Sequence, residues 1–133
     1  MKKTFYFLVF ISLVFFTNCS SDDNSSNQNN ETYQKLIGKW YFDDPSTNPS
    51  VNNSFKFTSN GNVIYSYWTG TGNEYDNETG TFSVSNDIMT MTFPENVSLT
   101  FVQKVVFINN DKVEFLATGS PSEEAYEGDY FRD

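Results

Sequence analysis

The side chains that could do chemistry in this chain are few. It contains no histidine, one cysteine (Cys19) and 17 acidic residues. Without imidazole, histidine-based triads and histidine-ligated zinc are excluded. The carboxylates remain. Asp43 adjoins Asp44, Glu74 alternates with Asp76 and Glu78, and Glu123, Glu124 and Glu127 crowd the C-terminal segment. Two carboxylates held at a fixed separation can hydrolyse a glycoside, and hard oxygen ligands can hold calcium. Either task requires a rigid frame. Apart from Glu114, these acids fall in turns, in a polar loop over Gly70–Gly80 and in a tail, and their spacing does not fit an EF-hand. Solvated charge is the simpler account. Nothing predicts a raised carboxylate pKa, so the expectation is a protein that is not an enzyme and takes no metal and no cofactor. Tyr126 and Tyr130, set among the C-terminal acids, read as a solvated tail or an interaction surface.

Cys19 has a different context. Lys2 and Lys3 precede Phe5–Phe16, a run that is apolar except for Ser12. The run is shorter than the roughly 20 residues that span a bilayer and has the proportions of a secretory signal peptide. The stretch ending at Cys19 resembles the lipobox of bacterial lipoproteins. That resemblance implies cleavage before Cys19, with 1–18 as the signal peptide, a diacylglycerol on the sulfur, and an acyl chain such as palmitate on the new amino terminus. Several acyl chains hold a protein on a membrane where one is marginal. The alternatives are an ordinary signal peptide or an uncleaved anchor.

Residues 20–32 contain no apolar side chain, so 19–32 reads as the lipid-bearing cysteine followed by a disordered tether. Ser20-Ser21-Asp22-Asp23 resembles the acidic signal that follows the lipidated cysteine in lipoproteins of Bacteroidetes-type bacteria. It implies an outer-membrane lipoprotein exposed at the cell surface; the rival location is the periplasmic face of the outer membrane, and the plainer reading of the run is a hydrophilic linker.

Loss of the signal removes two of the 8 basic residues and none of the 17 acidic ones, so the net charge falls from −9 to −11. That excludes a nucleic-acid partner, which needs a basic footprint, and disfavours adsorption to anionic headgroups. Cys19 has no mate for a disulfide, so the exported domain must depend on its apolar core.

That core is patterned for strands. The chain holds 14 Phe, 8 Tyr and 2 Trp, residue types that favour sheet. After a lead-in over Tyr33–Ile37 that could form one helical turn, strands are expected at Gly38–Phe42, Val51–Thr58, Val63–Thr69, Thr81–Val84, Ile88–Phe93, Leu99–Ile108 and Lys112–Thr118, with a last short one around Asp129–Phe131. Period-two alternation places Phe55 with Phe57, Tyr65 with Tyr67, and Met89 with Met91 and Phe93 on single faces. Asn60-Gly61 is a strong hairpin signal. An antiparallel meander of roughly eight strands can close on itself and remove its edges; a β-sandwich is the alternative.

Leu36-Ile37-Gly38-Lys39-Trp40, Phe55-Lys56-Phe57-Thr58-Ser59-Asn60-Gly61, and Gly80-Thr81-Phe82-Ser83-Val84 followed by Met89-Thr90-Met91 are together similar to lipocalin-like domains of Bacteroidetes-type secreted lipoproteins. The resemblance implies an all-β, lipocalin-like barrel over 33–133. It also implies a structural barrel end, in which Trp40, preceded by Gly38, closes the barrel and Arg132 stacks across the indole.

Tyr65, Tyr67 and Trp68, next to the Gly70–Gly80 loop, are the first candidates for ligand contact, followed by Met89, Met91, Phe101 and Phe115. Each could equally be core packing. Two functions therefore stand side by side: a membrane-anchored binder of a small apolar or amphipathic ligand, and a non-catalytic module that binds an envelope protein or glycan through its outer face or loops. The first requires a hollow barrel and the second a filled one, and period-two patterning is the same for both.

Overall fold

The computed structural model describes residues 29–44, 52–94, 99–119 and 126–132. Cys19, the signal segment, most of the tether, Glu95, Glu123 and Glu124 lie outside the described residues.

A helix, α1 (Glu31–Leu36), leads into eight strands: β1 (Gly38–Tyr41), β2 (Ser54–Phe57), β3 (Asn62–Trp68), β4 (Tyr75–Ser85), β5 (Ile88–Phe93), β6 (Leu99–Phe107), β7 (Lys112–Ala117) and β8 (Gly128–Arg132). Each strand pairs antiparallel with the next, and β8 returns to β1. The result is a closed meander barrel with the topology expected of a lipocalin-like fold; the sandwich alternative is ruled out.

Helix α1 has six residues, too few to stand alone in water. The Asn30 side chain caps it by accepting from the Tyr33 amide at 3.1 Å, and packing holds it. Tyr33 and Leu36 are buried, and the Tyr33 ring stacks on Phe82 at 4.9 Å. The helix begins inside the run read as tether, two residues before the expected domain start at 33.

The alternation read from sequence sets the two faces of the wall. In β5, Met89, Met91 and Phe93 are buried while Ile88, Thr90 and Thr92 are half-exposed. The Asn60-Gly61 turn forms as expected, with the Thr58 amide donating to the Asn62 carbonyl at 2.9 Å and Gly61 at a positive φ of 83°.

One expected element is corrected. The segment Gly70–Gly80 is not a loop throughout, because β4 starts at Tyr75 and pairs with β3 from Trp68↔Tyr75 to Asn62↔Thr81. Local composition there is polar, but an uninterrupted ladder with β3 outweighs weak intrinsic strand preference. Asp76 and Glu78 therefore belong to a strand, on the same alternation as the buried Gly80, Phe82 and Val84.

Candidate functional site

The two ends of the barrel differ. At the α1 end, Trp40 is fully buried and its indole N–H donates to the Leu36 carbonyl at 2.8 Å. Trp40 lies directly opposite Arg132 in the β1–β8 ladder. The guanidinium carbon sits 4.4 Å from the ring centre, and Nη2 donates to the Lys35 carbonyl at 2.6 Å. Gly38 has φ 135°, a conformation that residues with side chains rarely adopt, and lies beside the guanidinium, which a β-carbon there would meet at 3.8 Å. A planar cation over an indole face is attracted by the ring quadrupole, and here it also ties β8 to the helix terminus. This end is closed.

Among the described residues, the interior is packed. Trp40, Phe55, Phe57, Met89, Met91, Phe93, Gln103 and Phe115 are each less than 2 % exposed. Phe115 lies 4.5 Å from the Tyr130 ring and within 6.4 Å of both Phe55 and Phe57. Three of the sequence candidates, Met89, Met91 and Phe115, are thus placed in the packed core and reach no surface.

The far end is aromatic and acidic. Tyr65 and Tyr67 share the inward face of β3 with Val63, and their rings stack at 5.6 Å. Directly opposite them in β4 stand Glu78 and Asp76. Tyr126 lies over the core, with its ring 4.6 Å from Phe101, 5.1 Å from both Phe55 and Tyr65, and 6.2 Å from Phe93. Tyr130 donates to the Tyr126 carbonyl at 3.0 Å. Above this layer is a cup of about 110 Å³ lined by Phe42, Asn53, Tyr65, Tyr126 and Tyr130.

Burial pushes the phenols of Tyr65, Tyr126 and Tyr130 above the ordinary tyrosine value. The Glu78 carboxylate adds to the rise at Tyr65 and Tyr126. The cup is therefore walled by neutral phenols with a negative charge close behind them.

Tyr126 and Tyr130 correct the reading of a solvated tail, since both are buried. Tyr130 shares the inward parity of Arg132, a signal available in the sequence but masked by the surrounding acids. No local pattern in the sequence marks Asn53 or Phe42; they meet across the first hairpin, where the Phe42 amide donates to the Asn53 carbonyl at 2.9 Å. Of the remaining candidates, Phe101 underlies Tyr126. Trp68 faces outward at the rim, 38 % exposed, with its indole N–H donating to the Gly72 carbonyl at 2.9 Å.

Among the described residues, no three His, Cys, Asp or Glu side chains gather as a metal site. No protein-family model matches the chain, and no curated protein matches it significantly.

Proposed function

We propose that this is a non-catalytic, extracytoplasmic binding protein: among the described residues its packed core leaves no interior void of the kind a buried-ligand carrier needs, so a small amphipathic group would be taken only in the shallow cup at the far end of the barrel. The observation that carries this reading is the cup of about 110 Å³ between Phe42, Asn53, Tyr65, Tyr126 and Tyr130. Drug-sized ligands occupy roughly 300–1,000 Å³, so the cup takes one end of a molecule and leaves the rest outside. Tyrosines with apolar bodies and polar tips suit such a group. Lipid on Cys19 would hold the domain at the outer membrane, on the cell surface or on its periplasmic face.

A second reading is an envelope protein or glycan docked on the same rim. It is favoured by the exposure of Phe42 (45 %) and Trp68 (38 %), both of which lie at strand ends beside Asn53.

Native mass spectrometry of the processed full chain, purified gently from its producing cell, tests the binding reading. A stoichiometric adduct lost on denaturation, and absent from a Tyr65→Ala, Tyr126→Ala double variant that still folds, is the expected result. An adduct that persists in that variant, or a bare mass together with capture of an envelope protein on the rim, overturns it in favour of the second reading. Anchoring is tested separately: palmitate labelling and membrane fractionation should both be lost in Cys19→Ser.

A further inference from the structure

We propose that the cup at the far end of the barrel selects an organic cation, a small ammonium group with apolar substituents. The inference rests on the rim-binding reading and narrows it to a ligand class.

The walls are the first argument. Four of the five described lining residues are aromatic, and they include two near-perpendicular pairs. Tyr65 meets Tyr126 at 69° with 5.1 Å between centroids, and Phe42 meets Tyr130 at 75° and 5.6 Å. Rings arranged in this way enclose a small space from several directions. Aromatic faces attract an ammonium through the ring quadrupole, and quaternary ammonium groups are recognised by such cages.

Charge is the second argument. Among the described residues, no lysine or arginine lines the cup, whereas Lys35 and Arg132 line a hollow at the opposite, α1 end. Glu78 stands directly across the ladder from Tyr65, and Asp76 across from Tyr67. Neither carboxylate lines the cup, but Glu78 is close enough to act on the Tyr65 and Tyr126 phenols. An anionic group entering here would therefore be repelled and gain no cationic partner, whereas a neutral group would gain burial and hydrogen bonds but nothing from the charge. A cation gains both the carboxylate field and the ring faces, in a site where burial weakens screening. The phenols stay neutral well above physiological pH, so they add no competing negative charge of their own.

Size is the third. A dry cavity of about 150 Å³ accepts benzene, and a quaternary ammonium head is of similar bulk, so a cup of about 110 Å³ seats part of such a head against its rings and leaves the remainder and the tail outside.

The test compares choline with its uncharged carbon isostere, 3,3-dimethylbutan-1-ol, by titration calorimetry on the processed full chain at low salt. Choline should bind at least 10-fold more tightly, and Glu78→Gln should cut that preference about fivefold without changing affinity for the isostere. Equal binding of the two probes overturns the cation preference and leaves rim binding standing. Binding of neither overturns the cation proposal, and the rim-binding reading falls with it only if native mass spectrometry also shows no adduct. A preference unchanged in Glu78→Gln removes Glu78 from the site. The comparison of the two probes uses the unaltered protein and holds even if the variant fails to fold.

Discussion

The Arg132 guanidinium lies across the Trp40 indole, 4.4 Å from the ring centre, and its Nη2 reaches past the ring to the carbonyls of Lys35 and Ile37 at 2.6 and 3.4 Å. One side chain thereby joins β8, β1 and the end of α1. The β1–β8 seam is short, with two residue pairs in register, so few other contacts hold the barrel shut at this point. Arg132→Ala removes a partly buried cation–π contact and a charge-assisted hydrogen bond, together about 2–4 kcal/mol. Arg132→Lys should recover less than half, because an ammonium cannot lie flat on the indole and reach two carbonyls at once. Urea unfolding of the three proteins checks both the loss and the partial rescue.

Gly80 is required for a different reason. It has an ordinary strand conformation, but a β-carbon there would collide with the Thr92 carbonyl and the Phe93 ring. The obstacles are a backbone oxygen in the neighbouring strand and a fully buried ring, and neither can swing aside. Gly80→Ala should cost about 3 kcal/mol through overpacking. Thr79→Ala, on the exposed face of the same strand, should stay within about 0.5 kcal/mol. Thermal melts of the pair separate steric exclusion from any general weakness of β4.

How much of this was legible beforehand follows from which forces act locally. The eight-strand meander and the inward sets Phe55–Phe57, Tyr65–Tyr67 and Met89–Met91–Phe93 could be read directly, because side-chain alternation is a local property of a strand. The N-terminal half of β4 could not. Tyr75-Asp76-Asn77-Glu78-Thr79 is polar, and only the ladder to β3 makes it a strand. The same limit hid the site. Phe42, Asn53, Tyr65, Tyr126 and Tyr130 come from four separate parts of the chain, and it is closure of the barrel that gathers them. Whether the barrel is hollow or filled depends on summed side-chain volume against strand number, and no single stretch of sequence carries that.

Tyr130 makes stability depend on alkali. Its phenol is buried and hydrogen-bonded to the Tyr126 carbonyl, and burial raises its pKa above the ordinary value. Tyr126 is raised for the same reason. Below about pH 10, tyrosine holds its proton in both the folded and unfolded chain, and the contribution is constant. Above that, the unfolded chain releases protons that the folded one retains, so stability falls as pH rises through the gap, by up to about 1.4 kcal/mol per pH unit for each such group. Stability measured by denaturant between pH 8 and 11.5 should be flat and then decline from about pH 10. Tyr130→Phe should be about 1 kcal/mol less stable at pH 8 and should decline less steeply above pH 10.

Phe115 decides whether the barrel is filled in solution. It is fully buried against Tyr130, Phe55 and Phe57, rings that are themselves fixed by other neighbours and cannot collapse inward. Phe115→Ala should therefore leave a cavity and cost about 3–5 kcal/mol, the lost transfer free energy plus the void. The void would be lined chiefly by the Phe55, Phe57 and Tyr130 rings, and cavities lined by apolar groups stay dry and admit benzene. The parent protein has no room for benzene in that layer. Its melting temperature should not respond to benzene, while that of Phe115→Ala should rise with benzene concentration as binding to the folded state demands. A hollow barrel would reverse the pattern: the parent would already respond to benzene, and truncating one ring beside an existing void would cost closer to the transfer term alone.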